Sequence, residues 1–251
     1  MHYVMSDIHG KYDYFMDILK KINFSDDDIL YINGDVIDRG EQPIKLLKYI
    51  LSQKNMILLI GNHEHMMLQA LLSKDEDAMY QWSCNGNENT LKQFEELTLV
   101  EQYSLLYDLS QCPLVIPNLV VNNRQYYIAH ATHLKYYIED ELLYKDASTS
   151  DRERVLWSRE YARLSPVELY QKFSSLYNSY RNTTLIIGHT PVFKCSYGQK
   201  RSGSLPKISR SSKGHLINMD CGCARSMPLG CLCLETQEEF YADLPSDLRL
   251  G

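Results

Sequence analysis

Three short strings carry most of the chemistry available to this chain: Asp7-Ile8-His9-Gly10, Gly34-Asp35-Val36-Ile37-Asp38-Arg39-Gly40 and Gly61-Asn62-His63-Glu64. Asp7 and His9 are two apart, so on extended backbone their side chains share one side and could clasp one ion. The Asp35 carboxylate has two oxygens and could bridge two ions, while Asn62 offers a neutral carbonyl oxygen. His130 and His189 each close a later apolar run, Tyr-Tyr-Ile-Ala-His and Leu-Ile-Ile-Gly-His. Carboxylate, amide and imidazole donors suit manganese, iron or zinc better than calcium or a thiolate-seeking metal. Two such ions lower the pKa of a bridging water and clamp phosphate oxygens during in-line displacement. Arg39 can grip a phosphate through two N–H groups at once. His63, beside a metal donor, is suited to protonate a leaving alkoxide, with Asp38 orienting its ring. The reaction these residues suit is hydrolysis of a phosphate ester.

Such residues need elements that bring them together. Residues 2–6, 29–33 and 56–60 read as strands, with helices at about 11–22 and 41–53 between them. This alternation predicts parallel βαβ units, whose ligands bind at the carboxyl ends of the strands, where all three strings begin. Residues 64–112 read as helical, with an N-cap signal at Asn-Glu-Asn-Thr and few chemical groups, and are expected to form a cap or side lobe. Runs 114–121 and 126–130 flank a turn at Asn122-Asn123-Arg124. A helix is expected over 165–179, and further strands over 184–188, 215–219 and 230–235.

Composition fits one folded domain over residues 1–251, with 44% hydrophobic and 23% charged residues. Most of the 19 tyrosines are expected at the edge of the core. The net charge of -6 argues against nucleic-acid binding driven by bulk charge. No apolar run approaches the roughly 18 residues of a membrane span. The N-terminus enters a strand at once with no export signal, and the cysteines number seven, which points to reduced thiols in a cytoplasm.

In order along the chain, the three strings are followed by Ala129-His130, Val155-Leu156-Trp157-Ser158-Arg159-Glu160, Gly188-His189-Thr190-Pro191 and Met219-Asp220-Cys221-Gly222-Cys223. With these segments the chain resembles the phosphoprotein phosphatases. These are the metal-dependent Ser/Thr protein phosphatases of the calcineurin-like metallophosphoesterase superfamily, and the chain is most similar to bacterial and lambda-phage-type members. The resemblance implies an α/β fold in which two β-sheets form a sandwich flanked by helices. It implies one metal held by Asp7, His9 and Asp35, and a second held by Asp35, Asn62, His130 and His189. Manganese comes first as the metal, with iron, zinc or cobalt able to share the ligands. Arg39 and Arg159, with Asn62, would grip the substrate phosphate, and His63 with Asp38 would form the general-acid pair. The expected substrate is a phosphorylated protein or a small phosphoester, attacked directly by a metal-activated hydroxide with no phosphoenzyme and no cysteine chemistry.

Two other functions compete with this one. A dinucleoside tetraphosphate hydrolase would use the same scaffold. Those relatives typically lack an acid at the position of Asp38 and close the third string with Asp, whereas this chain has Asp38 and Glu64. A binding protein with a decayed site is the third, and every proposed position here is filled. Elsewhere, His65 is expected to face solvent in the first turn of a helix, with His133 similarly outside the site and His2 and His215 at the surface or a strand edge. Cys221, Cys223, Cys231 and Cys233 are expected to be buried thiols around a hairpin rather than a zinc cluster. Lys194, Lys200, Arg201, Lys207, Arg210 and Lys213 lie in a stretch that reads as a solvated mobile loop, with a basic lip that steers phosphorylated substrates as the alternative.

Overall fold

The computed structural model describes residues 1–73, 75–136, 138–165, 167–168, 171, 183–196, 205–211 and 214–243. The chain begins with β1 (His2–Met5), α1 (Tyr12–Lys21), β2 (Ile29–Asn33), α2 (Pro43–Ser52) and β3 (Met56–Leu59). These three strands are parallel neighbours, as the alternating pattern predicts. Four helices follow: α3 (Asn62–Ser73), α4 (Glu76–Ser83), α5 (Glu88–Glu95) and α6 (Leu99–Gln111). Then come β4 (Pro113–Val121), β5 (Arg124–Ala129), β6 (Leu142–Leu143), α7 (Thr149–Trp157), α8 (Glu160–Arg163) and β7 (Thr183–Ile187). The described chain closes with β8 (Ser209–Arg210), β9 (Leu216–Asn218), β10 (Gly230–Cys233) and β11 (Glu239–Tyr241).

The strands form two sheets, ordered β11-β10-β1-β2-β3 and β6-β4-β5-β7-β9-β8. Alternation along each strand explains how they stack. Val4, Tyr31, Leu59 and Leu232 of the first sheet pack with Ile128, Ile186 and Ile217 of the second in one buried cluster. The intervening residues Tyr3, Met5, Leu30, Ile32 and Leu58 turn to the other face, where they pack with Phe15, Ile18, Leu46 and Leu47 of the flanking helices. Strands buried on both faces must be apolar throughout, which is why these runs read as continuous rather than alternating. The fold is therefore α/β, with two sheets face to face and helices outside.

Some expectations change. The 64–112 block shares the main core, with Met66, Met67, Trp82, Phe94 and Leu109 in the same cluster as the β1 and β2 side chains. Asn122 and Asn123 both have positive φ, as a two-residue hairpin turn requires, and Arg124 already belongs to β5. β9 and β10 are not a hairpin: they lie in different sheets, and residues 219–229 cross between them. β6, β8 and β11, of two or three residues each, are too short for any periodicity to announce them. Most of the helix expected over 165–179 lies outside the described residues.

His65 does not face solvent. It is 2% exposed, and its Nδ1 lies 2.7 Å from the Tyr144 hydroxyl. The first turn of α3 sits between strand ends and the segment after β6, so even its polar residues are enclosed. His133 is also buried, 2.5 Å from the Tyr161 hydroxyl. Burial pushes the thiols of Cys221, Cys223 and Cys231 up, and all four cysteines are enclosed. Cys221 packs in the inter-sheet core while Cys223, past the left-handed Gly222, packs in the other cluster, so this pair does not share a face. Within the basic stretch, Arg210 is spent on Glu239 and Gln237 of the sheet edge, at 3.2 and 2.7 Å. Lys207 sits over the Tyr241 ring, and Lys200, Arg201 and Lys213 lie outside the described residues.

Candidate metal centre

β1, β2 and β3 end at one edge of the first sheet, and the three strings leave from there as loops. Asp7 and His9 converge, but not through strand alternation. β1 ends at Met5, and both residues have positive φ, 54° and 50°. Asp35, Asp38, Arg39 and His189 share this left-handed backbone. It costs a non-glycine residue of order 1 kcal/mol or more, so six such residues at one place mark a site held by its surroundings. The first two loops bind each other main chain to main chain, with His9 N–H donating to Asp35 O at 2.9 Å and Gly10 N–H to Val36 O at 2.6 Å. Gly40 permits that approach, because a Cβ there would lie 2.1 Å from His9 O.

Glu64 holds the second and third loops together. It is fully buried, and one carboxylate oxygen accepts the N–H groups of Asp35 (2.9 Å) and Gly61 (3.0 Å) while the other accepts those of Val36 (2.8 Å) and Ile37 (3.2 Å). Burial, and then the Asp35 charge, push its carboxyl up, against the pull of these N–H donors. Gly61 leaves room for Asp35, whose Oδ1 would lie 2.3 Å from a Cβ at that position.

Asp35 lies at the middle of the cluster. Its Oδ1 is 3.4 Å from His130 Nε2, and its Oδ2 is 3.7 Å from His9 Nε2 and 3.9 Å from His63 Nε2. The carbonyls of Ile37 and Asn33 occupy the Nδ1 sides of His9 and His130, at 3.1 and 2.9 Å, which turns both Nε2 lone pairs inward. Asn62 Oδ1 is 3.0 Å from His130 Nε2 and 2.8 Å from His189 Nδ1. Asp7 accepts the His189 N–H at 3.1 Å and the Ser6 hydroxyl. Two trios have ligand atoms within 4.8 Å of one another: His9, Asp35 and His63, and Asp35, His130 and His189. Asp35 is common to both, and these donor sets fit divalent metals. His63 thus stands in the first trio, where the resemblance implies Asp7.

The electrostatics follow from enclosing so many groups. Burial alone would raise the Asp35 carboxyl, but His130, His63 and His9 hold it well below the usual range. His130 is lowered by burial, yet Asp35 and Asp7 lift it to about 10. Burial, then the neighbouring His130, lowers His189 to about 3, and burial with His63 holds His9 well down. Burial raises Asp7 to about 7. Asp220, buried beside Asp7, is raised in the same way.

Next to the cluster, His63 Nδ1 lies 2.6 Å from Asp38 Oδ2. Asp38 is held in turn by the Trp82 indole N–H at 2.8 Å and the Thr90 hydroxyl at 2.6 Å. The exposed Arg39 donates to His9 Nε2 (3.0 Å) and His63 Nε2 (2.8 Å). Arg159, in the turn between α7 and α8, places Nε 3.5 Å from His189 Nε2. All ten residues singled out in the sequence are therefore gathered at one place. Sequence reading missed Glu64 as a structural anchor, and Trp82 and Thr90 altogether. The N-cap signal at residues 87–90 does open a helix, α5, with Asn87 at the N-cap, but Asn87 makes no side-chain cap hydrogen bond and Thr90 turns inward to Asp38, which the signal did not announce. Cysteine chemistry is not expected from the sequence on the ground that no Cys-x5-Arg loop is present, and that ground needs correcting, because Cys195 and Arg201 have this spacing. Cys195 is 2% exposed, however, and its thiol is bonded to Thr190 O and Pro191 O at 3.6 Å, so it is no nucleophile.

Residues 3–205 match the calcineurin-like phosphoesterase family, and the chain belongs to it. It is 34% identical over 163 residues to serine/threonine-protein phosphatase 2 of Salmonella typhimurium, which covers 63% of this chain and 67% of that protein. A stretch of 65 residues is 45% identical to the symmetrical bis(5'-nucleosyl)-tetraphosphatase of Wigglesworthia glossinidia brevipalpis, 25% of this chain and 24% of that enzyme. A solved structure provisionally named as a diadenosine tetraphosphatase has the same fold, with a TM-score of 0.63, 15% identity and coverage of 98% of this chain and 94% of that one. The chain is thus a phosphoester hydrolase of the metallophosphoesterase class. Among the described residues, no helix is long and apolar enough to cross a membrane.

Proposed function

We propose that this chain is a metal-dependent phosphomonoester hydrolase that removes phosphate from serine and threonine side chains of proteins. The observation that carries the reading is the His63–Asp38 pair, 2.6 Å apart and buried, with His63 itself in one of the two candidate metal trios. Such a pair serves a leaving group that needs a proton, as a serine or threonine alkoxide does and a nucleotide phosphate much less so.

Two bound divalent ions would supply Lewis-acid charge and an activated water. The chain's own residues would do the rest. Asp35 would bridge the ions, with Asp7 and His9 completing one site and Asn62, His130 and His189 the other. Arg39 and Arg159, beside opposite trios, would draw the phosphate in and hold its orientation. With Arg39 turned from His63 Nε2 to the phosphate, a protonated His63 would pass the Nε2 proton to the departing alkoxide while Asp38 keeps Nδ1–H engaged. The expected setting is a cytoplasm, with the whole chain acting as one domain.

The second reading, a dinucleoside tetraphosphate hydrolase, has the 65-residue stretch of 45% identity in its favour. Manganese-loaded protein should be assayed on phosphoserine, phosphothreonine and phosphotyrosine peptides and on diadenosine tetraphosphate. The proposal expects the highest kcat/KM on the phosphoserine and phosphothreonine peptides. Preference for the dinucleotide by tenfold or more would replace it with the second reading.

A further inference from the structure

We infer that Trp82 and Thr90, from the helical block 64–112, are positioning residues for the general acid. The inference rests on the reading of His63 as that acid. Asp38 has positive φ and is fully enclosed, and apart from His63 its carboxylate's hydrogen-bond partners among the described residues come from outside its own loop. Two residues of α4 and α5 supply them. The Trp82 N–H donates to the same oxygen that faces His63, and the Thr90 hydroxyl donates to the other. Thr90 Oγ1 also accepts the Asp38 main-chain N–H at 3.0 Å, so one hydroxyl fixes backbone and side chain together. With one donor fixed on each oxygen the carboxylate is held against rotation, so His63 Nδ1–H meets Oδ2 with Nε2 directed toward Asp35 and Arg39.

The same segment grips the rest of the loop. Gly86 O accepts the Arg39 N–H at 2.8 Å, and Asn89 Nδ2 and Gln93 Nε2 donate to Gly40 O and Glu41 O, each at 2.8 Å. The helical block is therefore less a lid over the site than the template on which the acid pair and Arg39 are set. Trp82 is 0% exposed and its only polar atom points at Asp38, which apolar packing alone would not require.

The test compares two substrates on full-length, metal-loaded protein: 4-nitrophenyl phosphate, whose leaving group needs little protonation, and phenyl phosphate, whose leaving group needs more. Trp82→Phe and, independently, Thr90→Val are expected to lower kcat on the order of tenfold for phenyl phosphate and less than about twofold for 4-nitrophenyl phosphate. KM and metal content should be unchanged, and Thr90→Ser, which keeps the hydroxyl, should retain kcat. Equal losses on both substrates, or no loss on either, would reduce these residues to packing and overturn the inference, provided His63→Asn shows the leaving-group dependence. If His63→Asn lacks that dependence, the acid assignment fails and the inference with it.

Discussion

The backbone N–H of His63 donates to Asp35 Oδ1 at 3.0 Å. The carboxylate proposed to bridge the metals is therefore also an acceptor at the start of α3, where a negative group is favoured by the helix dipole. Asp35→Asn separates the two roles, because the amide oxygen can still accept that N–H while the charge is lost. The variant should keep its circular dichroism spectrum and lose binding at both metal sites, measured as bound ions per chain. Retention of two ions would refute the bridge.

His63 lies in the first metal trio and also pairs with Asp38, so its role is decided by substitution. As the acid, its replacement in His63→Asn should lower kcat on a phosphoserine peptide by about 10²- to 10⁴-fold and leave metal content near normal. A metal analysis that shows one ion lost would make it a ligand instead.

Glu64→Gln keeps the volume but turns an NH2 group toward backbone N–H donors that now meet a carboxylate. A charged hydrogen bond contributes about 1.5–3 kcal/mol, and an unpaired buried donor costs a similar amount. The variant should unfold at a denaturant midpoint lower by at least one such increment, and it should bind metal more weakly because Asp35–Ile37 loses its anchor. An unchanged midpoint would show that Glu64 holds nothing.

His65 gives the stability a pH dependence. Burial, then the Arg152 charge, lowers its imidazole to about 4, while in the unfolded chain it titrates at its ordinary value near 6.5. Between those values the unfolded chain binds more protons, so this contribution is complete above about pH 6.5 and is lost as the pH falls toward 4. Urea midpoints measured across that window should fall on acidification, and more shallowly in His65→Gln. An identical slope in the variant would remove His65 as the cause.

What could be read from the sequence followed where chemistry and periodicity coincide. Asp7, Asp35 and Asn62 follow apolar runs that form parallel strands, and the ends of such strands bring the loops that follow them to one edge of the sheet. Trp82 and Thr90 were not legible, because they sit 44 and 52 residues from Asp38 and have no spacing tied to it. Nor was the left-handed backbone of Asp7, His9 and Asp35, which tertiary contacts impose on residues that do not favour it. His65 was misjudged because helical periodicity gives a direction around an axis, and the first turn of α3 is enclosed on every side.

Metal stoichiometry measured against turnover tests the central claim most directly. Metal-free protein titrated with Mn2+ should take up two ions per chain, and hydrolysis of 4-nitrophenyl phosphate should rise until the second is bound. Full activity at one ion, or hydrolysis with none, would contradict a two-metal centre built on Asp35.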